Sequence, residues 1–187
     1  MSSRPPVNQS RIELFLRQLG ERYPRPGRVY LVGGTTLVLE GFRQQTLDID
    51  IAIEVAPADH GDFIRVVRAL KDSLAVNVEE ASPGDFIPLP TGYANRHEFV
   101  GRFGQLDVFH FDLYSTALSK IERGRSQDLA DVILLLQNRR LDWEQLADCF
   151  REILPQMGLR SLRQDPEEFE KNFRALEAMW RAAGGQL

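Results

Sequence analysis

The chain has 187 residues, 43% of them hydrophobic, which suits one compact domain, or a domain with a small helical appendage, and argues against more than two. Its 23 basic and 27 acidic residues leave a net charge of −4, so the overall charge points to neither a nucleic-acid nor a membrane surface. Cys149 stands alone, which excludes an internal disulfide framework and fits a reducing, cytoplasmic setting. The opening Met1-Ser2-Ser3-Arg4 lacks the apolar core of a signal peptide, and no run approaches the length of a membrane span; no membrane partner is expected.

In chain order, Ser10 with Glu13 three residues later resembles a capping box, and Ile12, Phe15, Leu16 and Leu19 recur at helical spacing, predicting a helix to about Tyr23. Pro24 to Gly27 ends it. Val29 to Val32 predicts a short buried strand closing on Gly33-Gly34, and Thr35 to Phe42 a short helix. Leu47 to Val55 alternates, with Asp48 and Asp50 on one side and Leu47, Ile49, Ile51 and Ile53 on the other. Ala58 to Leu74 predicts a helix and Ala75 to Ala81 a third strand. Ser82 to Gly92 holds three prolines and two glycines and reads as a loop with a function. Glu98 to Phe111 predicts a strand or hairpin around Gly104, with an edge that would suit pairing between chains. Helices follow over 113–123, 126–138, 143–154 and 166–183, the last with Phe169, Phe173, Leu176 and Trp180 on a core face. The expected class is α+β, a mixed sheet flanked by helices with a helical C-terminal part. The expected divisions are an N-terminal helix (1–27), an α/β core (28–112) and a helical part (113–187).

The unit that carries chemistry is strand, Gly-Gly turn, helix, and a strand bearing Asp-x-Asp. Gly33 and Gly34 let backbone approach a phosphate, and the amides opening the next helix, with the Thr35 hydroxyl, suit an oxyanion. Asp48 and Asp50, at i and i+2 on a strand, leave one face roughly 7 Å apart and can converge on a divalent cation. His60, His97 and His110 lack zinc-site spacing.

Val32-Gly33-Gly34-Thr35, Arg43, Thr46-Leu47-Asp48-Ile49-Asp50 and the later Leu118-Ser119-Lys120-Ile121-Glu122-Arg123 with Asp128 to Asp131 resemble the polymerase-β-like nucleotidyltransferase superfamily. The branch most similar holds AbiEii-type toxin nucleotidyltransferases and uncharacterised bacterial relatives. The resemblance spans about residues 28–138. It implies a nucleotidyltransferase-type sheet and transfer of an NMP from an NTP such as ATP to a hydroxyl acceptor, with RNA suggested by the toxin–antitoxin relatives. Mg2+ or Mn2+ would be held by Asp48, Asp50 and a third acid, for which Glu79 is the first candidate and Asp107 the second. By the same resemblance, Lys120 and Asp128 join the catalytic set, while Gly33, Gly34, Thr35, Arg43, Thr46, Lys120, Arg123 and Asp131 would bind nucleotide.

Each residue also has a plainer reading. Lys120, Arg123, Asp128 and Asp131 equally form an interhelical salt-bridge set beneath a Ser126 cap. Arg43 would pair with Asp48 or Asp50, and Thr46 would shape the strand's start. Arg139, Arg140, Arg160 and Arg163 read as solvated helix-end charges, with RNA contact the lesser reading. Asn77 stands where an acid would help, so the rival to an enzyme is a catalytically degenerate nucleotidyltransferase-like protein that binds a nucleotide or a protein partner, as an antitoxin does.

Overall fold

The computed structural model describes residues 4–159 and 164–186. By backbone contacts the chain divides into two compact units: one runs to Ser82 and resumes over Glu98–Phe111, the other comprises Pro83–His97 and the chain from Asp112 onward. The fold is α+β.

In the first unit, α1 (Gln9–Arg22) precedes β1 (Gly27–Leu31), α2 (Gly33–Leu39), β2 (Asp48–Val55), α3 (His60–Ser73), β3 (Asn77–Glu80), and the hairpin β4 (Glu98–Phe103) and β5 (Leu106–His110). The five strands form one mixed sheet in the order β3-β2-β1-β5-β4. β2 runs parallel to β3 because α3 carries the chain back between them, whereas β4 and β5, joined by a tight turn, are antiparallel. Alternation sorts the side chains. Val29, Leu31, Ile49, Ile51, Val78, Leu106 and Val108 face a core completed by Ile12, Phe15, Leu16 and Leu19 of α1 and Phe63, Val67 and Leu70 of α3. The opposite sheet face therefore receives the polar set of β2, Asp48, Asp50 and Glu54.

Two local expectations change. The cap of α1 is Asn8, whose side chain accepts from the Arg11 amide, so the helix starts before Ser10. Both residue types cap well, and Asn8 takes the role because its backbone is extended while Ser10 is already helical. Leu47 precedes the first paired residue of β2 and is 71% exposed, so it lies outside the core stripe.

The second unit holds α4 (Leu113–Arg123), α5 (Ser126–Gln137), α6 (Trp143–Ile153) and α7 (Pro166–Ala182). Asp112, Asp142 and Asp165 cap α4, α6 and α7 through side-chain acceptors, but Ser126 is the first residue of α5 rather than its cap. Phe150 stacks on Phe173 and tilts against Phe169, which closes the core between α6 and α7. Trp180 is only half-buried; its ring nitrogen donates to the Gln186 carbonyl, because the final turn, not the core, covers it. The segment 83–97 is pinned to this unit. Arg96 grips the buried Asp112 carboxylate with two bonds of 2.9 Å, and Gln164 donates to the Phe86 carbonyl. Arg139 is exposed and Arg140 half-buried after α5, while Arg160 and Arg163 lie outside the described residues.

Candidate functional site

The chain leaves β1 at Leu31, and Val32 caps α2 with extended backbone while its amide donates to the Asp50 carbonyl. Gly33 then takes φ of 59°, a left-handed value that favours glycine. A Cβ there would sit 3.1 Å from Asp50 Oδ2, and one on Gly34 would sit 2.5 Å from Thr46 Oγ1 and 3.8 Å from the Arg43 guanidinium. Local contact thus links the glycine pair to Asp50, Thr46 and Arg43, which the sequence separates by nine to seventeen residues.

Three further contacts hold β2 against this turn. Thr35 is fully buried, and its hydroxyl accepts from the Asp50 amide at 2.8 Å and donates to the Asp48 carbonyl at 3.4 Å, so it is spent on placing the strand. Thr46 exchanges two backbone bonds with Val7, bracing the approach to β2 from outside the Gly-Gly unit. Beneath them, Thr36 donates to the Leu31 carbonyl and meets His110 Nδ1, whose other nitrogen lies 3.2 Å from Glu40. That cluster ties the middle of α2 and the Glu40 that follows it to β1 and β5. Neither the Val7 brace nor the His110 contacts has a signal in local sequence, since each partner comes from a distant segment.

Register sets the two candidates for a third acid at different distances from the pair. In the parallel β2–β3 ladder, Asp48 is opposite Asn77 and Asp50 opposite Glu79, so all four side chains share one sheet face. The Asn77 amide donates to Asp48 Oδ1 and to Glu79 Oε1, joining the strands through one side chain. Asp107 is level with Arg28, which is level with Glu54. That places it about four residues, or ~13 Å, along the sheet from Asp50 and two strands away. It is paired there with Arg102 at 3.0 Å, in a cleft also lined by Arg28 and Glu54. On the same face Tyr30 donates to Glu54 at 2.6 Å, and burial together with that bond pushes its phenol up to about 12.

Hard oxygen donors of the kind Mg2+ or Mn2+ takes are therefore present on β2 and β3. Among the described residues no group of three or more His, Cys, Asp or Glu is gathered so as to enclose an ion. The donor chemistry still fits magnesium, which is commonly held by one or two carboxylates, water and substrate phosphates and seldom by an all-protein cage. Asp48 and Asp50, both half-buried, are the pair that meets this description.

In the second unit, Lys120, 3% exposed, donates to Asp128 Oδ1 at 3.1 Å and to Asp131 Oδ2 at 2.7 Å. Arg123 shares Asp128 at 2.7 Å, and Gln127 reaches Asp131 at 3.3 Å. The four charged residues thus form one interhelical network joining α4 to α5. Burying these charges is tolerable because each is paired and hydrogen-bonded.

No helix of the described residues is long and apolar enough to cross a membrane. No curated protein and no solved structure matches the chain. Residues 10–174, by contrast, a span that contains the sheet and the helices from α4 to α6, match a family model: the chain belongs to the family described as nucleotidyltransferase of unknown function (DUF6036).

Proposed function

We propose that this chain transfers an NMP from an NTP to a hydroxyl acceptor, with the triphosphate lying against the Gly33-Gly34 turn and with Asp48 and Asp50 as the residues that would hold Mg2+ or Mn2+. The observation that carries the reading is the contact of Asp50 with Gly33, which sets a carboxylate beside a backbone turn that can approach phosphate closely. When bound, the ion would supply Lewis acidity toward the phosphates and the attacking hydroxyl. The chain's own residues would do the rest. Thr35 orients the Asp48 and Asp50 backbone, Thr46 and Arg43 flank the turn, and Arg43 offers positive charge for phosphate. Glu79, exposed and level with Asp50, would accept the acceptor's proton or join the metal ligands. For Lys120, Asp128 and Asp131 the mutual pairing favours an architectural role, with Arg123, whose side chain is 35% exposed, as the member that could meet an anion. Resemblance to AbiEii-type toxins makes RNA the first acceptor to try and a toxin–antitoxin setting the first context, and ATP is one of the four nucleotides to offer.

One observation favours a second reading. Asn77 stands opposite Asp48 where an acid would complete a triad, and its amide already ties up Asp48 and Glu79. The chain would then bind a nucleotide or a protein partner without transfer. Thermal-shift titration with each Mg-NTP, beside transfer of label from α-labelled NTPs to RNA and protein, separates the two. Transfer by the wild type that Asp48→Ala abolishes is the expected result. Binding without transfer would favour the second reading, and no response of the wild type to any Mg-NTP would overturn both nucleotide readings.

A further inference from the structure

Asn77 is the uncharged member of the four side chains that β2 and β3 bring to one sheet face, beside Asp48, Asp50 and Glu79. Its amide nitrogen carries two hydrogens and donates twice, to Asp48 Oδ1 and, at 3.2 Å, to Glu79 Oε1. Ionised carboxylates only accept, so this orientation of the amide is the one that satisfies all three groups. The nitrogen thus stands between the two carboxylates, where an ion bridging them would sit about 2.1 Å from each oxygen. An ion entering there would first have to break both bonds and turn the amide over.

We infer that Asn77 fills the place of a second cation, so that Asp48 and Asp50 take a single divalent ion and Glu79 serves the acceptor hydroxyl as general base without ligating that ion. The inference rests on the proposed nucleotidyl transfer and narrows it. Two-metal sites hold their ions about 3.5–4 Å apart, one on the attacking and one on the leaving oxygen, and need carboxylates for both. Here the two carboxylates flanking the second place, Asp48 and Glu79, are each committed to a neutral donor. Among the described residues no three acidic or imidazole groups gather around one point, which agrees with a single ion completed by water and phosphate oxygens. The activation that a second ion would give the acceptor then falls to Glu79, one of whose oxygens Asn77 steadies. The acceptor's proton passes to the Glu79 carboxylate as its oxygen bonds the α-phosphorus and pyrophosphate leaves.

The test counts ions. Mn2+ is titrated into the full chain, alone and with each of the four α,β-methylene NTPs, and followed by EPR. The wild type should bind one ion per chain with the spectrum of an isolated Mn2+, and Asp48→Ala should lose it. Asn77→Asp exchanges the amide hydrogens for an acceptor oxygen, so it should take up two ions per chain, magnetically coupled as ions about 3.5–4 Å apart are. An amide that only ties β3 to β2 would leave the count unchanged. Glu79→Gln keeps an oxygen for Asn77 to donate to and adds no charge to the strand pair. Its Mn2+ affinity should change less than about threefold, whereas loss of a ligand costs at least about tenfold. Two ions or a coupled spectrum in the wild type, one ion in a folded Asn77→Asp, or a tenfold loss in Glu79→Gln would each overturn the inference and leave the proposed transfer standing. Binding of no Mn2+ by the wild type in any condition would overturn both.

Discussion

Replacing Gly34 by alanine sets two physical effects against each other. Gly34 is the second residue of α2 and its φ is not left-handed, so helix propensity alone predicts a gain of about 0.5–1 kcal/mol. The new methyl group, however, would lie 2.5 Å from Thr46 Oγ1 and 3.2 Å from Thr46 Cβ. Thr46 cannot withdraw easily, since it is β-branched and its backbone is bonded to Val7 in both directions. Overpacking of this kind costs about 1–3 kcal/mol, so a net loss of about 1–2 kcal/mol is expected, or roughly 3–6 °C in Tm for a chain of this size. Thr46→Ala removes the nearer atom. In that background Gly34→Ala should become nearly neutral, giving a coupling of about 1 kcal/mol in a double-mutant cycle followed by thermal or urea unfolding. A higher Tm for Gly34→Ala in the wild-type background would refute the reasoning, because the generic helix effect would then have won and the close approach would be dispensable.

Lys120→Met should cost about 3–5 kcal/mol by urea unfolding, since it removes the ammonium group that the buried Asp128 and Asp131 carboxylates share; a loss under about 1 kcal/mol would mean water reaches the pair. Burial first, and the bond to Glu54 second, raise the Tyr30 phenol, so the difference between wild-type and Tyr30→Phe phenolate titrations should centre near 12. Because the folded value lies above the unfolded value of 10, the stability Tyr30 contributes is whole below pH 10 and is lost as pH climbs toward 12; a Tyr30 midpoint at 10 would sink this. Glu54→Gln should lower the midpoint only in part, because burial is the larger cause. Cys149 is buried and its thiol is pushed up chiefly by desolvation, so Ellman's reagent should label it slowly in the native chain and fully in denaturant. Fast native labelling would show that α6 opens.

The helices of the second unit were legible because their information is local. Apolar residues at helical spacing place α4 to α7 to within a residue of their observed ends, and the aromatic stripe of α7 reaches the core as far as Leu176. The hairpin about Gly104 and the order of Gly-Gly turn, short helix and acid-bearing strand were legible for the same reason. Local chemistry was ambiguous where two residues could play one role, as with Asn8 and Ser10 at the start of α1. It misled at Leu47, where alternation continued past the end of pairing, and at Trp180, where the helix face outran the core.

What the sequence by itself determined is that Asp48 and Asp50 leave one face of a strand that follows a Gly-Gly turn, because a two-residue period and a glycine pair are written in adjacent residues. Only the tertiary structure decided which partners meet them. Register between β2 and β3 set Glu79 beside Asp50 and Asn77 beside Asp48, while the β1–β5 ladder carried Asp107 to the other end of the sheet. Packing of α4 on α5 also chose the salt-bridge reading for Lys120, Asp128 and Asp131, burying all three with the exposed Arg123 at their rim. Strand register is settled by the summed burial of whole faces, to which Asn77, Glu79 and Asp107 contribute almost nothing, so their own neighbourhood in the sequence carries no trace of which acid they meet.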